Sequence, residues 1–545
     1  KTIEGAAYSL VSAPNAALDS CLDSLINIVA QGQEPDGYLT TWRTIDPQNP
    51  PAPWVNGGGR WSDLGSSHEL YNSGHLFEAA AAHFDATGKR NFLDIALKNA
   101  DLLVNVFGND TTYEVPGHEI VETGLIKLYR ITGNKSYLEL SRKFVDLRGD
   151  STHRKIRGEY SQDHVPVAMQ SEVVGHAVRA VYLYAAIADL AAITRDSAYH
   201  KAARSLWSNM TGKKMYLTGG LGARHSGESF GRNYELPNLT AYSETCAAIG
   251  GVCWGERMFR LTGEAHYYDA VERMLYNALI AGMSLRGTEF FYPNPLEADG
   301  NYAFNQGACT RQPWFDCSCC PTNLIRFIPS LPSLLYATQG SNVYVNLFAA
   351  SKANVSLKAG KICLVQETDY PWSGRINIGL QVDKPQTFAL KIRIPAWATN
   401  DTSPDALYVY LDSVREPYSI LLNGQPLQAS VDKGYATITR EWQSGDQLTL
   451  TLPMQPRRVA AIPNVDADSG LLAIERGPLV YCAEEADNPQ VEQLTISSPN
   501  GYVVEAQPEL LGGIYAIKNS RSTLIPYYAW SNRGAGKMKV WLGRE

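Results

Sequence analysis

Three of the chain's nine cysteines lie within four positions, in the stretch DCSCCPTN that runs from Asp316 to Asn323. Thiols this close together can form disulfides, hold a metal ion or act as nucleophiles. A disulfide between the adjacent Cys319 and Cys320 would close a strained ring, and a bridge between Cys317 and Cys319 is little better. Metal ligation is therefore the better interpretation, and buried free thiols are the alternative.

A tetrahedral zinc site needs four ligands, of which the cysteine pair can supply two. The segment SETC, at residues 243–246, offers a carboxylate and a thiol two positions apart at the start of a predicted helix. Glu244, Cys246, Cys319 and Cys320 would together make a four-ligand zinc site. The spacing does not decide between this site and buried thiols, because the C-x-x-C pairs of structural zinc modules are absent.

Other reactive side chains occur in long Gly-rich inserts between helical segments. His68, His75, His118 and His176 each follow a Gly or Ser and lead into a segment with helical periodicity. This placement can gather several of them at one end of a helical domain. Taken singly, each is more often a core histidine than a catalytic one.

An internal repeat indicates how these inserts are positioned. Four helical segments share a Thr followed five residues later by an aromatic side chain, and their spacings are 45, 62 and 68 residues. The Thr positions are Thr87, Thr132, Thr194 and Thr262, and the aromatic positions are Phe92, Tyr137, Tyr199 and Tyr267. Each copy predicts an α-hairpin, and the long inserts favour a closed toroid of helix pairs over an open solenoid.

The pattern changes near Asn342 to period-two alternation with β-branched residues and short turns. Segments such as RINIGLQV, YATITREW and QLTLTLPM predict strands of a β-sandwich. We expect a helical catalytic domain at 1–338, a β-sandwich domain at 339–456 and a second β-sandwich domain at 457–545. The segment REPYSILLNGQPL fits either β domain.

Composition excludes several classes of partner. The formal net charge of −7 and the lack of a Lys/Arg cluster argue against binding to nucleic acid or to an anionic membrane surface. No run approaches the ~18 apolar residues of a membrane span. The 30 Tyr and 11 Trp are a modest indication of carbohydrate binding, since flat rings stack on sugar faces.

Several motifs, in order along the whole chain, resemble glycoside hydrolase family 127, the β-L-arabinofuranosidases, and the related family 146. They are HELYNSGHL, GHAVRA, YSETCA, FFYPNP, CCPTN, IERGPLVYC and IPYYAWSNRG. The resemblance implies an (α/α)6 toroid followed by β-sandwich domains. Members of the family usually carry more chain before the point where this one starts, so it also implies that an N-terminal piece is missing.

The resemblance also implies roles for particular residues. A zinc ion would be held by Glu244, Cys246, Cys319 and Cys320, with Cys319, the first of the pair, as nucleophile. Glu228, in GESF, falls on the position of the general acid/base, for which Glu235 is the rival. Sugar-binding side chains fall on His68, His118, His176 and Tyr292, while Cys317 has no role.

The implied activity is that of a retaining exo-glycosidase that releases terminal β-L-arabinofuranose from plant-type glycans. The same mechanism on another sugar is an alternative, for instance on an acidic branched sugar of pectin, with Arg60, Arg224 or Arg311 as the cation. A non-catalytic carbohydrate-binding protein with a structural zinc is a second alternative, which the presence of Glu228 disfavours. A redox thiol enzyme is disfavoured because CC is not C-x-x-C.

Two further expectations concern oligomeric state and localisation. Family members often pair through their sandwich domains, so the resemblance allows a homodimer. The chain opens in KTIEGAAYSL, without an initiator Met or a visible signal peptide. We expect a cytoplasmic or periplasmic bacterial protein.

Overall fold

The computed structural model describes residues 1–400, 407–496 and 501–545. The chain divides into two compact units. The first consists of Lys1–Met210, Ser226–Phe230 and Pro321–Ser330, and the second of Thr211–His225, Gly231–Cys320 and Leu331–Glu545. Every strand in the described part of the chain belongs to the second unit.

Helices occupy most of the chain before residue 328, which confirms the predicted order of a helical part followed by a sheet-rich part. That the helices close into a toroid stays a prediction. The α-helices of the described residues are α1 (Thr2–Ser12), α2 (Ala16–Gln31), α3 (Thr41–Ile45), α4 (Glu69–Thr87), α5 (Asn91–Phe107), α6 (Val121–Thr132), α7 (Lys135–Asp146), α8 (Ala177–Thr194), α9 (Ser197–Lys213), α10 (Thr245–Thr262), α11 (His266–Met274) and α12 (Cys319–Phe327).

The repeated threonines end the first helix of each predicted hairpin. In all four copies the Thr hydroxyl donates to the carbonyl four residues earlier, at 2.6 Å in Thr87, 2.8 Å in Thr132, 2.7 Å in Thr194 and 3.0 Å in Thr262. The next residue is left-handed in every copy, three times as Gly and once as Arg195. In the three Gly copies the amide of that residue donates to the carbonyl of Phe84, Tyr129 or Phe259. This satisfies a carbonyl that the helix end leaves without a partner, and the chain reverses there.

The aromatic position of the repeat anchors the second helix of each hairpin. Phe92, Tyr137, Tyr199 and Tyr267 are all buried. In the first unit, Phe92 and Tyr137 belong to a core that α1, α2, α4, α5, α6 and α7 build from Leu and Ala side chains at three- and four-residue spacing. Helices α4 and α5, α6 and α7, and α10 and α11 pack against each other, which confirms the hairpin prediction for three copies. For α8 and α9 it stays a prediction.

One helix of the described residues, α8, is long and apolar enough to cross a membrane. Its 18-residue window has a mean hydropathy of 1.5, and 83% of that window is buried inside the protein. A core helix of a globular domain has the same properties. Its composition is therefore only weak support for a membrane span.

Strands make up most of the remainder of the second unit. They are β1 (Glu297–Asp299), β2 (Tyr336–Gln339), β3 (Asn342–Val345), β4 (Ser351–Leu357), β5 (Gly360–Thr368), β6 (Arg375–Val382), β7 (Gln386–Arg393), β8 (Tyr408–Tyr410), β9 (Ser419–Leu422), β10 (Gln425–Pro426), β11 (Ser430–Asp432), β12 (Tyr435–Trp442), β13 (Gln447–Thr451), β14 (Pro456–Ala461), β15 (Leu471–Arg476), β16 (Leu479–Glu484), β17 (Thr495–Ile496), β18 (Val503–Gln507), β19 (Ile514–Lys518), β20 (Thr523–Pro526), β21 (Lys537–Lys539) and β22 (Leu542–Arg544).

Two sheets form the predicted sandwich after residue 335. One has six strands in the order β10-β9-β13-β6-β5-β4, and the other has five in the order β11-β12-β7-β3-β2. Ile378 and Leu450 of the first share a buried core with Leu390 and Ile438 of the second. The ambiguous segment REPYSILLNGQPL supplies β9, which pairs with β13 and so belongs to this sandwich.

The later strands form one 11-stranded sheet that includes β1 and β8. Strand β8 pairs with β14, and β1, from the helical part of the sequence, pairs antiparallel with β21 through Glu297–Lys539. The sequence pattern did not predict either addition, because a three-residue strand has too few alternations to detect. That this sheet folds into a second sandwich stays a prediction.

Candidate functional site

Residues 243–246 are held in place by two neighbouring segments of the second unit. The Ser243 amide donates to the Gly222 carbonyl at 2.7 Å, the Glu244 amide to the Leu221 carbonyl at 3.1 Å, and the Thr245 amide to the Tyr292 carbonyl at 3.0 Å. Ser243 adopts a left-handed conformation with φ of 41°, which is uncommon for a residue other than Gly. Glu244 then caps α10 in an extended conformation, with Cys246 in its first turn.

Cys319 and Cys320 are the first two residues of α12. The amides of a helix N-terminus point along the axis with a partial positive charge, which stabilises nearby anions. Cys320 is fully buried, whereas Cys319 is partly accessible. Of the two thiols, therefore, only Cys319 can reach a bound molecule.

The four predicted ligands come together in the second unit. The ligand atoms of Glu244, Cys246, Cys319 and Cys320 all lie within 4.8 Å of one another. The Cys319 and Cys320 sulfurs are 3.8 Å apart, and Glu244 Oε1 is 3.5 Å from the Cys320 sulfur and 3.9 Å from the Cys319 sulfur. Residues from two segments about 75 positions apart thus form one cluster.

These distances fit a tetrahedral zinc site. A zinc ion about 2.3 Å from each sulfur and about 2.1 Å from an oxygen separates two sulfurs by about 3.8 Å and a sulfur from an oxygen by about 3.6 Å. Burial, and then the neighbouring Cys246, raise the pKa of the Cys320 thiol well above its usual range. Without a cation, Cys320 is therefore a neutral thiol, and a bound metal ion would supply the charge that holds it as thiolate.

Tyr292 lies against the nucleophile candidate. Its hydroxyl is 2.9 Å from the Cys319 sulfur and 3.9 Å from that of Cys317. The Tyr292 amide donates to Asn305 Oδ1 at 2.8 Å, and the ring is buried. The family resemblance implied a sugar-binding role for Tyr292. The structure adds a contact to Cys319 that could not be predicted from the motif FFYPNP.

The C-terminal sheet holds the segment that carries Tyr292. The Tyr527 hydroxyl donates to the carbonyls of Asn294 at 3.0 Å and Pro295 at 2.9 Å. The Trp530 ring stacks on Phe291 with centroids 5.0 Å apart. Tyr292 is therefore fixed from both sides along the chain.

We expect Tyr292→Phe to lower kcat by about 10- to 100-fold, because a hydrogen bond to a charged group contributes roughly 1.5–3 kcal/mol. In the mechanism that the family resemblance implies, this hydroxyl would orient the Cys319 sulfur and stabilise it when it leaves as an anion. Steady-state kinetics measures the effect, with Tyr344→Phe, in β3, as the matched control. A rise in KM with unchanged kcat would instead assign Tyr292 to sugar binding alone.

The predicted histidines and Glu228 form a second group, in the first unit. His118 lies between His68 and His176, with ring centroids 5.8 and 5.6 Å away. His176 Nε2 is 2.8 Å from Glu228 Oε2. Tyr71, one helical turn from His75 on α4, packs on His118 with centroids 4.5 Å apart and extends this aromatic surface.

Hydrogen bonds set the tautomers of these rings. Nδ1 of His68 lies 2.7 Å from the Ser66 carbonyl, and Nδ1 of His118 lies 3.0 Å from the Glu119 carbonyl. A carbonyl only accepts, so both Nδ1 atoms carry the proton and both Nε2 atoms are left as acceptors. Burial lowers the pKa of His68, His118 and His176. Neutral rings of this kind suit the hydroxyl groups of an uncharged sugar.

Glu228 lies in a tight turn. Gly227 and Glu228 are both left-handed, with φ of 69° and 50°. The following segment is fixed by the Phe230 amide, which donates to the Gly175 carbonyl at 2.9 Å. His176 Nδ1 accepts from the Arg179 amide, so its Nε2 carries the proton and donates to the Glu228 carboxylate.

The rival acid and the three candidate cations are engaged elsewhere. Arg224 makes a bidentate contact to Glu235 at 2.6 and 2.5 Å, which lowers the pKa of that carboxyl and makes it a poor acid. Arg60 pairs with Glu34 and Asp36, and the buried Arg311 donates to the carbonyls of Ala281, Tyr528 and Trp530. The structure thus disfavours Glu235 as the general acid. It also disfavours each of the three arginines as the cation that would bind the carboxylate of an acidic sugar.

Known proteins show the same organisation. Residues 1–333 match the catalytic domain of β-L-arabinofuranosidase in glycoside hydrolase family 127, residues 342–454 match its middle domain, and residues 456–543 match the C-terminal domain of that family. The chain is 31% identical to a non-reducing end β-L-arabinofuranosidase of Bifidobacterium longum subsp. longum, covering 100% of this chain and 88% of that protein.

Solved structures agree with this assignment. A GH127 β-arabinofuranosidase is 47% identical with a TM-score of 0.93, over 100% of this chain and 87% of that one. A GH127 β-L-arabinofuranosidase from Geobacillus stearothermophilus T6 is 37% identical with a TM-score of 0.91, over 100% and 89% of the two chains. With three successive domains matched and the ETC and CC segments joined in one cluster, the chain belongs to glycoside hydrolase family 127 and is a glycoside hydrolase.

Proposed function

We propose that this glycosidase removes single β-L-arabinofuranosyl units from the non-reducing ends of plant-type glycans, with retention of configuration. The relatives with matching domains are β-L-arabinofuranosidases by name. The observation that carries the proposal is the cluster of Glu244, Cys246, Cys319 and Cys320, in which the accessible thiol of Cys319 is in contact with the Tyr292 hydroxyl.

In the first step, the Cys319 sulfur attacks the anomeric carbon and the bond from that carbon to the leaving oxygen breaks. Glu228, in its acid form, gives its proton to that oxygen, which departs as an alcohol. The sugar is then joined to Cys319 through a C–S bond, in the way that a retaining glycosidase joins it to a carboxylate. A zinc ion held by the four ligands would keep the cysteine sulfurs as thiolates at neutral pH.

In the second step, Glu228 takes a proton from water as the water oxygen attacks the anomeric carbon. The C–S bond breaks, and the electron pair returns to the Cys319 sulfur with the Tyr292 hydroxyl as its hydrogen-bond donor. Two inversions at one carbon give overall retention. His176 orients the Glu228 carboxylate through its 2.8 Å hydrogen bond.

The neutral histidines favour an uncharged sugar as the substrate. His68 and His118 present unprotonated Nε2 atoms, which accept hydrogen bonds from sugar hydroxyls. Arg60, Arg224 and Arg311 are engaged elsewhere, so the acidic-sugar alternative loses the three cations proposed for it. We retain the division 1–338, 339–456 and 457–545 as the proposed domain boundaries.

The direct test compares p-nitrophenyl β-L-arabinofuranoside with its α-anomer as the matched control. We expect hydrolysis of the β-anomer only, with the β-sugar as the first product in proton NMR spectra recorded before mutarotation. An oligosaccharide labelled at its reducing end should lose one pentose at a time. Inversion of configuration, or a preference for the α-anomer, would contradict the proposal.

A zinc-bearing sugar-binding protein gives a different result. Such a protein would bind the β-anomer and contain zinc, yet it would release no p-nitrophenol. An enzyme that has lost its metal would also release no p-nitrophenol. Metal content measured on the same sample by mass spectrometry distinguishes these two cases.

A further inference from the structure

We infer that the first unit carries a second divalent-cation site, formed by Asp19, Asp23 and His83. A ligand atom from each of the three residues lies within 4.8 Å of the others. The cluster contains no cysteine, so its chemistry differs from that of the thiolate cluster in the second unit. We refer to these three residues as the Asp-Asp-His cluster.

His83 is the observation that points to a ligand. Its side chain lies on α4 and is 0% exposed, and neither ring nitrogen has a hydrogen-bond partner. Leaving a buried polar group without a partner is unfavourable, so such groups are rare unless a water or an ion completes them. Burial also lowers the pKa of His83, which keeps the imidazole neutral and leaves one nitrogen lone pair to bind a cation.

The two carboxylates complete the ligand set. Asp19 and Asp23 are four residues apart on α2 and therefore lie on the same face of that helix. Their side chains are 34% and 36% exposed, so they can rotate once Lys89 is displaced. Bound ligand atoms about 2.1 Å from a metal are about 3.4 Å apart in a tetrahedron. From separations of up to 4.8 Å, these side chains must therefore close in by up to about 1.4 Å.

Lys89 holds the position that the cation would take. Its ammonium group is 2.7 Å from both Asp19 and Asp23, and Asn91 adds a hydrogen bond to Asp23 at 2.8 Å. A divalent ion must displace this ammonium, whose long side chain can then extend into water. The Lys89 ammonium group therefore competes with a divalent ion for the two carboxylates, and replacement of Lys89 should strengthen metal binding.

The ligand set selects a class of ion. Two carboxylate oxygens and one imidazole suit divalent ions such as Mn²⁺ or Zn²⁺, with water in the remaining positions. Thiolates favour softer ions, so Mn²⁺ discriminates between the two clusters. An ion here would join α2 to α4 in the first unit.

The test is a Mn²⁺ titration of protein that carries one zinc ion per chain and no free zinc, with free Mn²⁺ measured by electron paramagnetic resonance. We expect one saturable Mn²⁺ per chain. His83→Gln should weaken binding by about 100-fold through loss of a direct ligand, and Lys89→Gln should tighten it by about tenfold through loss of the competing charge. Asp94→Asn, an exposed acid on α5, is the matched control and should change nothing.

Two results would overturn the inference. One is the absence of saturable binding in both the wild type and Lys89→Gln. The other is binding that His83→Gln leaves unchanged, which would reduce the cluster to surface carboxylates. Circular dichroism confirms that each variant is folded, and glycosidase activity should be the same in all of them, since none of these residues belongs to the proposed catalytic groups.

Discussion

Replacement of Cys319 by Ser is expected to lower kcat by about 10⁴-fold or more, as loss of a covalent nucleophile does in other enzymes. A serine hydroxyl is protonated at neutral pH and attacks an anomeric carbon poorly. In the wild type, rapid quenching followed by peptide mass spectrometry should find one pentosyl group on the peptide that contains Cys319. In Cys319→Ser that adduct should be absent.

Loss of the metal is the competing explanation for such an effect, and Cys320→Ser separates the two. Cys320 is fully buried and serves only as a ligand in the proposed mechanism. Its replacement should weaken metal binding, so that added Zn²⁺ restores part of the activity. Added Zn²⁺ should not restore Cys319→Ser. Cys363→Ser, in β5, controls for thiol loss in general, and a fully active Cys319→Ser would refute the thiolate mechanism.

Replacement of Glu228 by Gln is expected to affect substrates according to their leaving groups. With an alkyl leaving group the loss in kcat/KM should be about 10²- to 10⁴-fold, because general acid catalysis contributes that much. A p-nitrophenyl group leaves without a proton, so kcat/KM should fall much less. The second step still needs a base, and the sugar–enzyme adduct should therefore accumulate.

Azide provides the confirming measurement for Glu228. It attacks without base assistance, so it should restore turnover of Glu228→Gln and give the β-glycosyl azide. Glu235→Gln is the matched control, since Glu235 is another acid of the same stretch of sequence and is already neutralised by Arg224. The activity of this variant should stay near that of the wild type. Equal losses in both variants, or no loss with an alkyl leaving group, would rule out Glu228 as the acid/base.

Some features were predictable because they are local. A Thr that ends a helix needs only the carbonyl four residues before it, so Thr87 and Thr132 have the same geometry wherever they occur. Period-two alternation likewise predicted the sandwich strands. Residue types suggested the pairing of SETC with CCPTN but did not decide between a metal site and buried thiols, since about 75 residues separate Glu244 from Cys319 and no local rule joins them. The resemblance to family 127 favoured the metal site.

Other features depend on tertiary contacts that no short pattern encodes. The Tyr292 hydroxyl meets the Cys319 sulfur only because separate segments fold together. Glu235 was a plausible acid until Arg224, eleven residues earlier, proved to neutralise it. The three-residue strand β1 is stable only through its pairing with β21.

Residues of the C-terminal sheet contact the chain on both sides of Tyr292. These contacts restrict how enzymes of this kind can diversify. Tyr527 and Trp530 contact residues on either side of Tyr292, and β21 pairs with β1 just beyond. A recombination event that exchanged only the C-terminal domain would therefore alter the support of a residue in contact with Cys319, the proposed nucleophile. The C-terminal domain is thus not a free accessory module, and we expect the catalytic and C-terminal domains to be inherited together.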